Sequence, residues 1–486
     1  MKKRIIGILI CMLLLATAVP TVESLKNSAI NSVVPSPTLS SMTMNNIEKQ
    51  NLFHSDVSGI VYFEYCASID GDTAVVGTYR GDNPYGWGGS VYIFTRINNI
   101  WRQQDRIFSP NSKDRSCFGW SVSVSGDTAL IGVPAPLNAD STGYVYVFTR
   151  TGSRWTQQAK LLALDGEEWD FFGLSVSLDG DTALIGAYGD DDNGNWSGSA
   201  YVFTRTGTTW TQQAKLLASD GIEYDLFGAS VSLDGNTALI GAPGDGYQRV
   251  GPGSTYVFIR SGTTWIQQAK LFDPNGEQAD QFGVSVSIDG DTALIGAQQY
   301  ENNREGSGVA YVFTRTGAIW SQQSQLIEPD GERWDRFGYS VAVSSDTALI
   351  GAMWNWHGDY AGSVYVFTRE GTLWVQQQKL QVSGKFGDCF GTSVALDGDT
   401  ALITAYRVAD TYRFGSSYIF TRTGTTWVEQ TRLFDLKGTD YKSKQAQREM
   451  KIPVSMNTLF YQLIEKLFQR FSNAFPILQH FWNGKI

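Results

Sequence analysis

Residues 174–217 carry two different hydrophobic patterns in close succession. Leu174 to Leu178 alternates apolar and polar positions, the period of a strand with one buried face. Thr182 to Ala187, reading TALIGA, is apolar at consecutive positions, so a strand there buries both faces. Asp179-Gly180-Asp181 between them is hairpin-turn chemistry. A polar stretch follows to Gly198. Ser199 to Arg205 then predicts a third strand, Thr206-Gly207-Thr208-Thr209 a second turn, and Trp210 to Leu217 a fourth strand. The unit is a four-stranded antiparallel meander, its strands labelled A to D.

The same pattern recurs. Copies of FG…SV…DTALIGA begin at Phe63, Phe118, Phe172, Phe227, Phe282, Phe337 and Phe390, with spacings of 55, 54, 55, 55, 55 and 53 residues. A lone meander cannot bury both faces of its B strand. Sheets stacked face to face can, and seven of them around an axis make a β-propeller. The predicted fold is therefore all-β: a seven-bladed β-propeller of four-stranded antiparallel blades, with a short C-terminal helical tail. The glycine after each phenylalanine (Gly119, Gly173, Gly228, Gly283, Gly338, Gly391) opens the innermost strand, where space is narrow. Copy one has Glu64 instead. Two segments compete to complete the last blade. Asn51-Leu52-Phe53 precedes Phe63 as Lys270-Leu271-Phe272 precedes Phe282, and Trp427 to Leu433 follows copy seven. The second keeps the tryptophan and is the expected choice.

The outer segments differ in kind. Lys2, Lys3 and Arg4 precede an apolar run to Leu15 and then Ala16-Thr17-Ala18, a secretory signal pattern over 1–18. Residues 19–50 read as a linker, 51–436 as the propeller and 437–454 as a polar linker. Over 455–486, Leu459, Phe460, Leu463, Ile464, Leu467, Phe468 and Phe471 form one helical stripe, which either docks on the propeller, associates between chains or lies on a membrane surface, the one segment that offers membrane contact. Formal net charge is −10 with no basic block, which argues against a nucleic-acid partner. Beyond the leader, Cys66, Cys117 and Cys389 remain, without a CxxC pair.

Candidate chemistry is sparse. His54, His357 and His480 stand at no catalytic spacing, and no GxSxG, HExxH or phosphate loop is present. The carboxylate run Asp190, Asp191 and Asp192 reads as a solvated acidic loop, with a weak calcium site as the alternative. No cofactor is required on this reading. Asn195-Trp196-Ser197 fits a glycosylation sequon at Asn195. The recurring tryptophans after the C–D turn (Trp101, Trp155, Trp210, Trp265, Trp320, Trp374, Trp427) read as structural, and the Gln-Gln pairs after them as polar cover of an edge strand. Arg205 and its equivalents close strand C opposite Asp181, which predicts a cross-strand ion pair in each blade.

In an up-and-down blade the A–B and C–D turns share one end. Their sequences, DGDT and TGTT, hardly vary. The B–C loops and D–A connections share the other end and vary freely, so ligand contacts are expected there. The candidate ligand-binding residues are Trp87, Trp169, Trp196, Trp334, Trp354 and Trp356.

The FG…SV…LIGA…YVF pattern resembles the FG-GAP repeat of integrin α-chain propellers and many secreted microbial proteins. The resemblance covers about residues 51–436. It implies a seven-bladed propeller that binds partners and lacks enzymatic activity. It also implies calcium in a long A–B loop. Here Asp179-Gly180-Asp181 is too short to supply the roughly 6–8 oxygens that calcium takes. The expected function is a secreted or cell-surface binding scaffold for protein or glycan at the cell envelope, in adhesion or interaction. A lectin-like carbohydrate binder is the alternative, ahead of a propeller glycosidase or a purely structural envelope protein.

Overall fold

The computed structural model describes residues 65–79, 89–111, 117–134, 142–245, 251–277, 279–298, 307–332, 334–355, 361–382, 388–406 and 415–433. The signal segment, both linkers, the C-terminal stripe, Glu64, Trp87, Trp356 and the three histidines lie outside these residues.

The described residues form 28 strands in seven four-stranded sheets, each an A-B-C-D meander of one repeat. In blade three the strands are Ser175–Asp179, Thr182–Ala187, Ser199–Thr206 and Thr209–Leu216. A and B pair antiparallel with Asp179 opposite Thr182, and B and C with Thr182 opposite Thr204. A register shift at Val202/Phe203 bends strand D, and the same shift recurs in every blade.

The B strand explains the ring. All six residues of TALIGA are buried in blade three. Ala183, Ile185 and Ala187 pack with Leu130, Val145 and Val147 of blade two. Leu184 points the other way, into Phe227, Ala238 and Ile240 of blade four. The two-residue period thus feeds two interfaces from one strand. The last joint is made alike: Leu402, Ile419 and Leu433 of blade seven pack with Ala74, Val76, Phe94 and Trp101 of blade one. Strand D of blade seven is Thr426–Arg432, the C-terminal choice.

Polar side chains run the same circuit. The Asp or Ser ending strand A accepts from the backbone N–H in the next blade's A–B turn at all seven joints. Examples are Asp179 Oδ2 from Gly235 at 2.7 Å, Ser125 Oγ from Gly180 at 3.1 Å and, closing the ring, Asp397 Oδ2 from Gly71 at 2.6 Å. The others are Asp70–Gly126, Asp234–Gly290, Asp289–Ser345 and Ser344–Gly398. The predicted ion pair forms in five blades, with Arg205 Nε 2.6 Å from Asp181 Oδ1. In blade four Asn236 replaces the aspartate and accepts from Arg260 at 2.8 Å. In blade six Arg369 bonds Thr292 and the Ser345 carbonyl instead. Each of the seven arginines also donates Nη1 to the threonine that opens strand B of the preceding blade, as Arg205 does to Thr128 at 2.8 Å. The arginine therefore joins two blades, which the cross-strand reading did not include.

The tryptophans are structural, and the Gln-Gln pairs are more than polar cover. The second glutamine of each pair accepts the indole N–H of the next blade's tryptophan at six joints, at 2.8–3.1 Å. The seventh joint lacks this bond: Trp101 Nε1 and Gln430 Oε1 are both buried without a partner.

Candidate functional site: the variable face

The antiparallel order places the near-identical turns at one end and the B–C loops with the D–A connections at the other. The turn end is occupied by the inter-blade bonds just described. At the variable end, four D–A connections share one buried aspartate. Asp170, Asp225, Asp280 and Asp335 each accept from the backbone N–H three residues earlier, at 2.6–2.7 Å. The residues before and after that aspartate are left-handed although none is glycine. Trp169, Tyr224, Ala279 and Trp334 have φ of 75°, 71°, 69° and 72°; Phe171, Leu226, Gln281 and Arg336 have 56°, 59°, 61° and 58°. A non-glycine backbone held there is strained, and the buried aspartate is what fixes it.

Blade three gathers the richest corner. Trp169, 58% exposed, leans on Phe171 with centroids 6.2 Å apart. Phe171 stacks on Tyr188 at 5.1 Å, and Trp196 meets both edge-on at 5.9 and 5.5 Å. Exposed Glu167, Glu168 and Asp191 adjoin these rings in the chain. Trp169 and Trp196 are thus brought together. Trp334 (47% exposed) and Trp354 belong to blade six, so the four predicted tryptophans among the described residues do not converge on one site. Phe171 and Tyr188 went unrecognised because each sits at a position that changes from blade to blade.

The acidic run has internal partners. Asp190 is buried, 3% exposed, and accepts from Tyr201 at 2.9 Å. Lys215 places its ammonium 2.9 Å from Asp190, 2.7 Å from Asp192 and 2.9 Å from Asp165. Burial pulls the Lys215 pKa down, but these bonds outweigh it and raise it. Asp191 accepts from the backbone of Trp196 at 2.6 Å. The ammonium is the cation that Asp165, Asp190 and Asp192 face, and no set of three metal-ligating side chains is assembled among the described residues. A chelator should leave the melting temperature of the full chain unchanged, and a fall on adding EDTA that calcium reverses would favour the calcium reading. Asn195, the sequon residue, donates to Tyr224 Oη at 2.8 Å, a bond that a glycan at that nitrogen would displace.

The tyrosine–lysine–carboxylate group recurs. Tyr256 bonds Asp220 and Asp245, both held by Lys270. In blade six Tyr365 donates to Glu328 and Asp330, Asn355 donates to Glu328, and Lys379 lies 2.7 Å from Asp330 but 4.0 Å from Glu328. Burial, against the bond from Tyr365, pushes the Glu328 carboxyl up to about 8. The folded state then holds a proton that the unfolded chain releases near pH 4.5, so stability falls as pH rises from about 4.5 to about 8. Glu328→Gln should flatten that decline, by roughly a few kcal/mol at pH 8. Melting curves across this pH window check it; an unchanged slope would mean that Glu328 is ionised in the fold.

The FG-GAP repeat family model matches residues 47–94, 101–148, 155–203, 210–258, 265–313, 320–367 and 374–420, well over half of the chain. Mouse integrin alpha-2 is 29% identical over 191 residues, 37% of this chain and 16% of that protein. Human integrin alpha-X is 27% identical over 184 residues, 35% of this chain and 15% of that protein. The chain therefore matches only about a sixth of the length of these relatives. Among solved structures, the β-propeller domain of the Trilobed protease from Pyrococcus furiosus superposes with a TM-score of 0.45 at 10% identity, covering 76% of this chain and 96% of that one. Seven consecutive matches, one per blade, on the residues that build the joints make the chain a member of the FG-GAP repeat family.

Proposed function

We propose that the chain is an exported, non-catalytic scaffold whose variable face docks a partner protein. The observation that carries this reading is the partly exposed aromatic cluster of Trp169, Phe171, Tyr188 and Trp196, set beside carboxylates on rigid blades. Aromatic rings of this kind supply large contact area at low entropic cost. The opposite face spends its polar groups on neighbouring blades. The integrin α relatives favour a protein partner, and the leader pattern favours export.

The test uses the full chain with a photo-crosslinker at position 168 or, as the opposite-face control, at position 208. Each is exposed to the surface proteins of the producing cell. A partner captured at 168, and lost with Trp169→Ala plus Trp196→Ala in a folded protein, supports the reading. Capture at 208 alone would reverse the faces. Saturable, Trp196-dependent binding on a glycan array would favour the lectin reading instead.

A further inference from the structure

Arg336 lies just before strand A of blade six, Phe337–Ser344. The A strands of neighbouring blades approach closely while the D strands splay, so Arg336 sits on the inner rim of the variable face. Its guanidinium carbon stands 3.8 Å from the centroid of the Trp354 ring. Stacking occupies the flat face of the cation and leaves its five in-plane N–H donors to find acceptors. They find none among the described residues: Nε is buried without a partner, and no carboxylate forms an ion pair with Arg336. Three nearby carboxylates are engaged elsewhere, Glu328 by Tyr365 and Asn355, Asp330 by Lys379, and Asp335 by the Glu332 N–H and Asn355.

The contrast with the turn face is direct. Arg205 also stacks on a tryptophan, at 5.1 Å, yet bonds Asp181, Thr128 and the Gly180 carbonyl. Arg336 is half-buried, stacked on its platform and, among the described residues, unneutralised. Burial lowers its pKa without removing its charge. A desolvated cation without an acceptor is costly unless an anion completes it. The equivalent positions hold Phe171, Leu226, Gln281 and Cys389, so the charge is not needed to build the joint.

We infer that Arg336, held on Trp354, is a receptor for a carboxylate presented by the partner protein. This rests on the binding reading above and names the chemistry of one contact within it. A carboxylate meets the guanidinium edge-on through two parallel hydrogen bonds, a geometry that lysine cannot reproduce.

The experiment reads single arginines. The full chain is treated with phenylglyoxal at constant ionic strength, and modification is followed peptide by peptide with glutarate or chloride present. Arg336 should react several-fold faster than Arg205. Glutarate should protect Arg336 saturably, chloride should not, and Trp354→Leu should weaken the protection. Equal reactivity of the two arginines, or equal protection by chloride, would overturn the inference. In the crosslinking assay, Arg336→Gln and Arg336→Lys should both lower capture at position 168 while melting as the parent does. Capture unchanged in both variants would reject the contact and leave the scaffold reading standing. Saturable protection of Arg336 without any captured partner would reject the scaffold reading and leave the anion site standing.

Discussion

Gly241→Ala should abolish the folded propeller, or destabilise it by more than about 4 kcal/mol, the range reserved for severe core clashes. Gly241 is the fifth residue of TALIGA in blade four. A Cβ there would stand 2.0 Å from the Gly283 carbonyl oxygen of the next blade and 2.3 Å from Ser230 Oγ. The oxygen is backbone, and the blade behind it cannot retreat without opening a joint. The serine is equally committed, since its hydroxyl donates to that same carbonyl at 2.7 Å. Gly235, in the A–B turn of the same blade, is the control. It is left-handed, with φ of 55°, but nothing lies within 4 Å of an added Cβ. Gly235→Ala should cost only about 1 kcal/mol. Urea denaturation of the two variants separates steric exclusion from backbone preference. Comparable losses would mean that strand B of blade four does not approach strand A of blade five as closely as described. Blade seven tells the same story in reverse. Its equivalent residue is Thr404, which accepts from Ser393 N at 3.0 Å, so only at the closing joint does this position take a side chain.

The second large effect should appear as a difference between two identical substitutions. Trp265→Phe removes an indole that donates to Gln213 at 2.9 Å and leaves that partly buried oxygen without its protein partner. Trp101→Phe removes an indole N–H that has no partner. Both lose similar apolar area, so the difference isolates the hydrogen bond. Trp265→Phe should be the more destabilising by roughly 0.5–1.5 kcal/mol, the net worth of a partly buried hydrogen bond. Equal losses would show that Trp101 and Gln430 do bond in solution. The same asymmetry marks the joint of blades seven and one as the least latched of the seven. Amide hydrogens of Tyr65–Asp70 should therefore exchange before those of Phe282–Asp289, the corresponding strand of blade five.

Much of this was legible in the chain because the repeat is local. Period-two alternation marked strand A, continuous burial marked strand B, and DGD and TGTT marked the turns. All of these are set by residues a few positions apart. Seven copies then left one economical way to cover both faces of TALIGA. The Arg205–Asp181 pair was equally accessible, since antiparallel neighbours in a hairpin must meet.

What crosses from blade to blade was not accessible. Trp265 and Gln213 are 52 residues apart, and no local rule pairs them. Between residues 51–53 and Trp427 to Leu433, which both repeat the end of a D strand, the sequence offered only the tryptophan as a reason to expect the second. The tertiary structure gives that edge to the second, where Trp427 donates to Gln377 and Leu433 enters the cluster of blade one. The acidic run shows the same limit. Asp190, Asp191 and Asp192 read as a solvated acidic loop until Lys215, 23 or more residues away, is placed against Asp190 and Asp192. Strand and turn propensities follow from near neighbours along the backbone. The partner of a buried charge follows from which blades the ring sets side by side, and only packing fixes that.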